Sequence, residues 1–287
     1  INMLSKLKEN PKLVKTLIIA FGLLLLFMKL VSDLHIHSRF SRACSKSISI
    51  PVLEQQARIK GVDLLGTGDF THPLWIKELK QNLTEEDSTG ILKTASGFSF
   101  VLSTEISLMY TAGGKGRKIH LVVLAPNFDC VDKITTMLLR YGRVDYDGRP
   151  IFGMTAPALM ERLKAIDSRI EIIPAHIWTP WFSLFGDKSG FDRIEDCFKD
   201  QTKNIHALET GLSSDPPMNW RISALDRFTL VSNSDSHSFW PWRIGREANV
   251  FDFKEDKLSY KSIIEALRTK KNFDFTIEVD PAYGKYH

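Results

Sequence analysis

The sequence predicts an α/β protein. Short apolar segments that look like strands alternate with amphipathic helical segments along most of the chain, which is typical of strands connected by helices. Residues with metal-binding side chains follow several of these strands, as they do on the active face of a parallel β/α barrel. The 287 residues suffice for one barrel-sized domain or two smaller ones, and one domain is the simpler interpretation.

The first half of the chain predicts a strand, a helix, a second strand and a hairpin. A strand over 30–36 precedes a helix over 51–60, for which Ser49 is the cap, Pro51 lies in the first turn and Gly61 lies just past the end. A strand over 62–66 follows. Segments 98–109 and 117–125 flank a Gly-Gly-Lys-Gly turn and predict a β-hairpin.

The second half continues the alternation. We expect helices over 131–140, 156–166 and 259–270, and strands over 170–174, 205–208, 229–232 and 273–279.

The composition is that of an ordinary globular protein, with 43% hydrophobic and 25% charged residues, and it excludes collagen-like, coiled-coil and wholly disordered classes. A net charge of +4 is compatible with a polyanionic partner. The three cysteines, Cys44, Cys130 and Cys197, are odd in number and widely spaced. They predict buried thiols in a reducing, cytoplasmic compartment rather than disulfides.

An apolar run over 16–28 follows four lysines near the start of the sequence. The run is shorter than the roughly 20 residues that a spanning helix needs, and the strand over 30–36 leaves almost no linker after it. We expect residues 1–27 to be upstream or non-native sequence, with Met28 as the start of the domain. A genuine membrane anchor is the alternative, although we expect no membrane partner.

Metal-binding residue types recur after successive strands. His35 and His37 are spaced i, i+2, which puts both imidazoles on the same side of an extended strand. The residues at or after later strands are Asp69, His72, Glu105, His120, His176, Asp235 and His237. Because the carboxyl ends of parallel strands meet on one face, we expect these side chains to converge there.

Several imidazoles with a few carboxylates favour Zn²⁺, Mn²⁺ or Fe over Mg²⁺, which prefers oxygen ligands. Glu105 or Asp235 could bridge two ions, and paired divalent ions are suited to phosphate ester hydrolysis. The structural alternative is a chain of buried ion pairs. We interpret His206 as a surface or packing residue, and Glu209 either as a residue that orients a ligand or as an ordinary ion-pair partner.

Four motifs resemble those of the polymerase and histidinol phosphatase (PHP) family. Segments 33–41, 66–73, 174–181 and 232–237 read Asp-Leu-His-Ile-His-Ser-Arg-Phe-Ser, Gly-Thr-Gly-Asp-Phe-Thr-His-Pro, Pro-Ala-His-Ile-Trp-Thr-Pro-Trp and Ser-Asn-Ser-Asp-Ser-His. The resemblance implies a distorted seven-stranded, TIM-like β/α barrel over 28–275 with two or three divalent ions. By position it implies metal ligation by His35, His37, His72, Glu105, His120, His176, Asp235 and His237. Asp235, Glu105 and Asp69 would be the catalytic carboxylates.

Within this family, the residues of these motifs are most similar to those of the endonuclease Q subfamily. That resemblance implies a DNA-repair nuclease that nicks DNA on the 5′ side of deaminated bases, such as uracil and hypoxanthine, or of abasic sites. It also implies that 276–287 begins a truncated C-terminal module. The alternative function is a phosphatase for a small phosphomonoester.

DNA binding would require basic and aromatic side chains beside the metal site. Such residues follow His37, His176 and His237 in the sequence, and the candidates are Arg39, Arg42, Lys46, Trp178, Trp181, Trp240 and Arg243. The alternative is that the aromatic members only pack loops under the rim of the barrel.

Overall fold

The computed structural model describes residues 29–86, 89–253 and 258–283. The predicted leader over 1–27 lies outside the described residues, and so does the last part, 284–287, of the predicted C-terminal segment. Within the described ranges, no helix combines the length and the apolar character that crossing a membrane requires.

Strands and helices alternate through the described chain. The strands are β1 (Leu30–Asp33), β2 (Leu64–Gly66), β3 (Thr84–Glu85), β4 (Leu92–Lys93), β5 (Ser99–Ala112), β6 (Lys115–Ala125), β7 (Ile151–Phe152), β8 (Glu171–Pro174), β9 (Ala207–Glu209), β10 (Thr229–Val231), β11 (Ala248–Phe251) and β12 (Phe273–Ile277). The helices are α1 (Ile50–Lys60), α2 (Pro73–Asn82), α3 (Phe128–Leu138), α4 (Ala156–Ile166), α5 (Ile194–Phe198), α6 (Pro216–Asn219) and α7 (Tyr260–Thr269), with 3₁₀ turns at Lys199–Asn204, Ser223–Leu225 and Pro281–Tyr283.

The strands of the described residues form one ten-stranded mixed sheet and a separate two-stranded sheet. The large sheet runs β12-β11-β1-β2-β5-β4-β3, with β6 and β7 also paired to β5 and with β8 paired to β6. Strands β1, β2 and β5 are parallel to one another, and so are β9 and β10. The predicted α/β class is therefore confirmed.

The predicted distorted seven-stranded barrel is not confirmed: among the described residues no strand ladder joins the two sheets, so the strands do not close into a barrel. Isolated backbone contacts link the two sheets on either side of the two-stranded sheet instead. On one side the Ile177 N–H donates to the Glu209 carbonyl at 2.9 Å. On the other, Ile36 and Ser236 form an isolated parallel bridge, and the His37 N–H donates to the Ser236 carbonyl at 2.9 Å.

The long hairpin of β5 and β6 extends beyond its predicted limits. Ala112 pairs with Lys115, so the turn consists of Gly113 and Gly114, with φ values of 59° and 72°. Two consecutive residues with positive φ define a tight turn that glycine adopts without strain. The register then puts Glu105 opposite Val122 and Ser107 opposite His120, so Glu105 and His120 are diagonal neighbours on one face.

The helices pack on the sheet and fix the frame of the site. Leu53 of α1, Trp75 of α2, Ile134 of α3 and Leu159 of α4 are buried in one apolar cluster, while α7 packs in a second cluster against the other surface of the sheet. Helix α1 ends at Gly61, whose φ of 83° is left-handed, as the sequence predicts. Helix α4 has the predicted bounds.

Seven of the described helices and strands have no counterpart in the sequence prediction: α2, α5, α6, β3, β4, β7 and β11. Strand β11 pairs antiparallel with β1. Strand β11 follows a loop rich in aromatic residues and carries no period-2 pattern. Its pairing with β1 is therefore decided by the tertiary fold and not by a local pattern.

Candidate metal centre

His35 and His37 lie just beyond the end of β1, which stops at Asp33. Both are buried, with 2% and 1% of their surface exposed. His35 Nδ1 lies 3.0 Å from Glu209 Oε1, and His37 Nδ1 lies 3.0 Å from Asp69 Oδ1. Since an ionised carboxylate can only accept hydrogen bonds, each Nδ1–H donates, and each Nε2 is directed away from the carboxylate that Nδ1 contacts.

Glu105 lies at the centre of the arrangement. Its Oε1 is 2.7 Å from His120 Nδ1, 3.2 Å from His176 Nε2 and 3.7 Å from His35 Nε2, and its Oε2 is 3.5 Å from His37 Nε2. Burial disfavours the charged carboxylate, but these imidazoles together hold the pKa of Glu105 well below its usual range. One carboxylate therefore contacts histidines from β6 and from segments that follow β1 and β8.

Asp235 and His237 close the site from the segment after β10. Asp235 Oδ1 lies 3.1 Å from His37 Nε2 and 3.8 Å from His35 Nε2. His237 Nδ1 lies 2.9 Å from the carbonyl oxygen of Asp235. The other ring nitrogen of His237 is left available to a metal ion.

The backbone is strained at this face. Asp69, His176 and Asp235 have φ values of 45°, 31° and 46°, in the left-handed region that non-glycine residues rarely adopt. Such conformations persist where the surrounding structure fixes them, and they concentrate at functional sites.

Three groups of side chains have ligand atoms that all lie within 4.8 Å of one another. Their members are His35, His37 and Glu105; His37, Asp235 and His237; and Glu105, His120 and His176. These include seven of the eight predicted ligands. His35 Nε2 and Glu105 Oε2 are buried without a hydrogen-bond partner in the described chain, an arrangement that costs free energy unless another group satisfies them. Imidazole nitrogens with carboxylate oxygens fit Zn²⁺, Mn²⁺ or Fe.

His72, the eighth predicted ligand, lies outside these three groups. It occupies the N-cap position of α2, is 4% exposed, and stacks on Phe40 with ring centroids 4.3 Å apart. Its ligand role remains a prediction.

Asp69 is fully engaged as a support. Besides contacting His37, it accepts hydrogen bonds from the Ser38 N–H at 2.7 Å and from the hydroxyls of Ser38 and Ser41 at 2.6 and 2.8 Å. The geometry favours a positioning role for Asp69. Glu105 and Asp235, in contrast, belong to the three groups of possible metal ligands, which we call the ligand cluster.

The carboxylates also set the protonation of the imidazoles. Burial lowers the pKa of His37, but the negative charge of Asp69 and the hydrogen bond to Asp235 outweigh it and raise the pKa to about 9. In the same way Glu209 and Glu105 overcome burial and raise the pKa of His35. The same carboxylates would attract a metal ion, which would displace the proton from each ring nitrogen that it binds.

The predicted basic DNA contacts differ in their surroundings. Arg39 donates to the Ile48 carbonyl at 2.7 Å, pairs with Glu78 and lies over Trp75. Lys46 donates to the Arg39 carbonyl at 3.0 Å. Arg42, whose side chain is 76% exposed, pairs with Asp147 at 3.3 Å. Arg243 is exposed.

The predicted aromatic contacts also divide. Trp178 donates to Asn219 at 2.8 Å and is partly buried, which favours a packing role. Trp181 and Trp240 are 49% and 45% exposed. Lys118 lies over the Trp181 ring, and Trp240 stacks on Trp242 at 4.8 Å with an interplanar angle of 9°.

Glu209 contacts His35 Nδ1, which fits both of its predicted roles, a residue that orients a ligand and an ion-pair partner. His206 pairs with Glu171 at 2.8 Å and lies outside the three groups, as predicted for a packing residue. The three cysteines are free and buried. The sequence did not point to Arg149, which lies 3.6 Å from Glu105 Oε2, because it follows no strand.

The chain is similar to known proteins both by sequence and by structure. The uncharacterized protein MJ0043 of Methanocaldococcus jannaschii is 31% identical over 165 residues, which are 57% of this chain and 18% of that protein. The crystal structure of the lesion-specific endonuclease PfuEndoQ from Pyrococcus furiosus superposes with a TM-score of 0.79 at 32% identity, over 91% of this chain and 61% of PfuEndoQ.

A second structure, an endonuclease Q complex with a 27-mer duplex carrying an abasic lesion at the active site, also has a TM-score of 0.79 and 32% identity, over 91% of this chain and 62% of that one. The chain thus spans less than two thirds of each of these proteins. No protein-family model matches it.

Proposed function

We propose that this chain is a metal-dependent hydrolase of phosphate esters, and specifically an endonuclease that nicks DNA on the 5′ side of deaminated bases or abasic sites. The observation that carries the proposal is the position of Glu105, whose carboxylate oxygens lie within 3.7 Å of four imidazoles. The likeness to the lesion-specific endonuclease over 91% of the chain supports the choice of substrate.

The proposed ligands are the members of the three groups: His35, His37, Glu105, His120, His176, Asp235 and His237. They would hold two ions, with His72 a candidate for a third, and the donor set suits zinc, manganese or iron. Bound there, the ions supply an activated water at neutral pH and neutralise charge on the phosphate.

The chain's own part in this chemistry is to orient the ligands. Glu209 and Asp69 hold Nδ1 of His35 and of His37, and Thr179 Oγ1 lies 3.1 Å from His176 Nδ1. Fixing one ring nitrogen determines which nitrogen faces the centre and makes the imidazole a better ligand.

DNA is the proposed partner, as in the related complex with an abasic duplex. Arg42, Trp181 and Trp240 each lie within five residues of a proposed ligand and are exposed. Arg243 is exposed in the same loop as Trp240. Exposed aromatic rings can stack on unpaired bases, and arginines can track the phosphates.

We further assign residues 28–275 to one metallohydrolase domain with a distorted, open barrel. Its seven strands would be β1, β2, β5, β6, β8, β9 and β10. The Ile177–Glu209 hydrogen bond and the Ile36–Ser236 bridge, which cover the gaps between the sheets, support this assignment.

The test is a nicking assay with the purified full chain and Mn²⁺ or Zn²⁺. End-labelled duplexes carrying one uracil, hypoxanthine or abasic site are expected to be cut 5′ of the lesion, and Asp235→Asn and Glu105→Gln are expected to abolish cutting. Asp187→Asn, which changes an acid that is 63% exposed at its side chain, is the matched control. Phosphate release from p-nitrophenyl phosphate without any nicking would instead establish the small-molecule phosphatase.

A further inference from the structure

Arg149 lies beside the ligand cluster on the loop between α3 and β7. Its Nη1 is 3.6 Å from Glu105 Oε2, and its side chain is 21% exposed. The guanidinium is therefore mostly enclosed, with part of its surface still open to solvent.

The backbone on both sides of Arg149 is fixed to segments that carry proposed ligands. The Gly148 N–H donates to the Phe40 carbonyl at 3.2 Å, and the Pro150 carbonyl accepts from the Ser107 N–H of β5 at 3.0 Å. A Cβ at position 148 would lie only 2.2 Å from Asp69 Oδ2. The loop can approach the site this closely because residue 148 is glycine.

The charges around Arg149 come from carboxylates of the site. Burial opposes its positive charge, but Glu105, Asp235, Asp147 and Asp69 raise the pKa of the guanidinium. At 3.6 Å its contact with Glu105 is electrostatic and longer than a hydrogen bond.

Within the described chain the Arg149 side chain makes this ion pair but donates no hydrogen bond. Arg246 offers a contrast. Its guanidinium donates to the Ser234 carbonyl at 3.0 and 2.8 Å, so it is already engaged. Arg149 keeps its donors available beside the cluster.

We propose that Arg149 binds a non-bridging oxygen of the phosphate group on which the metal centre acts. The inference rests on the proposed phosphoesterase function. A guanidinium matches a phosphate oxygen pair in shape and charge, and a site lined with carboxylates needs a fixed positive charge to admit an anionic substrate. The alternative is that Arg149 only offsets the charge of Glu105 within the fold.

The two roles are separated by phosphate binding at constant metal content. The full chain and its Arg149→Met and Arg149→Lys variants are loaded with Mn²⁺, their metal content is measured by mass spectrometry, and inorganic phosphate is titrated by calorimetry. We expect Arg149→Met to weaken phosphate binding about 10- to 100-fold with unchanged metal content, and Arg149→Lys to weaken it less. Arg143→Met is the matched control, because that arginine lies in the same loop, is 74% exposed at its side chain and pairs with Asp145.

Gly148→Ala provides a second variant that removes no charged group. It is expected to displace the loop and weaken phosphate binding in the same direction. Phosphate affinity within twofold of wild type in Arg149→Met, a parallel loss of metal, or no phosphate binding by the loaded wild type would each overturn the proposal. Failure to nick any lesion duplex while Arg149→Met still loses phosphate affinity would instead count against the proposed nuclease alone.

Discussion

Both carboxylate oxygens of Glu209 lie against Nδ1 of His35, at 3.0 and 3.1 Å. The same carboxylate accepts hydrogen bonds from the His176 N–H and from the Asn233 amide, each at 2.8 Å. Glu209 itself is fully buried at the end of β9. One side chain thus fixes two proposed ligands that come from different strands.

Glu209→Gln is expected to lower metal affinity about 10- to 100-fold, because the amide cannot hold His35 in the same tautomer with the same basicity. Titration with Zn²⁺ against a competing chelator measures the change. Glu171→Gln is the matched control, since Glu171 is also buried and contacts an imidazole, that of His206. An equal loss of metal affinity in both variants would show that the Glu209 contact has no special role.

Asp69→Asn is expected to lower the free energy of unfolding of the metal-free chain by about 1–3 kcal/mol. Asp69 accepts hydrogen bonds from Ser38, Ser41 and His37. The NH₂ group of an asparagine would face at least one of these hydrogen-bond donors, and that hydrogen bond would be lost. Urea denaturation measures the change. Asp132→Asn, at a side chain 57% exposed, should change the value by less than about 0.5 kcal/mol, and similar effects at both positions would refute the assignment.

Divalent metal is expected to raise the melting temperature of the chain. The buried Glu105 and the partly exposed Asp235 repel each other. A cation that binds only the folded state stabilises it by about 2.7 kcal/mol at a concentration 100 times the dissociation constant. Differential scanning calorimetry with Zn²⁺ and with EDTA tests this. Identical melting temperatures would mean that the cluster does not bind the ion.

Glu247 predicts a pH dependence of stability. Burial, together with the charges of Glu278 and Glu209, raises its pKa from 4.5 to about 9. Between these values the unfolded chain has lost the proton and the folded chain has kept it, so the stability that is complete below about pH 4.5 falls as the pH rises toward 9.

Glu247→Gln removes this dependence and should be more stable than wild type at pH 8, by on the order of 2 kcal/mol, with a smaller difference at pH 5. Urea denaturation at both pH values measures it. Glu265→Gln, at an exposed position of α7, should show no such divergence. A difference in the free energy of unfolding between Glu247→Gln and wild type that is the same at both pH values would contradict the prediction.

Substitutions of the basic residues predicted to contact DNA should differ in their effects on the stability of the fold and on the salt dependence of DNA binding. Arg39→Ala is expected to destabilise the fold, because Arg39 pairs with Glu78 and bonds to the Ile48 carbonyl. Arg243→Ala should leave stability unchanged and reduce the slope of log affinity against log salt by about 1. Fluorescence anisotropy with an abasic duplex measures the slope, and an unchanged slope would remove Arg243 from the interface.

The sequence determined the local features by itself. Pro51, Gly61 and the Gly113-Gly114 turn limit α1 and the hairpin because their backbone preferences are intrinsic. The recurrence of histidines and carboxylates after strands predicted the ligand cluster for the same reason, since the end of a strand is a local property that a short segment reveals.

The tertiary structure alone decided which of these side chains meet. Glu105 contacts His176 and His35, 71 and 70 positions away in the sequence, only because β5 lies between β2 and β6 in the sheet. His72 carries as strong a sequence signal but caps α2 beside Phe40. Arg149 carries no such signal, yet the close approach of Gly148 to Asp69 brings it to the cluster. Strand order and loop docking depend on contacts between distant segments, which no local pattern encodes.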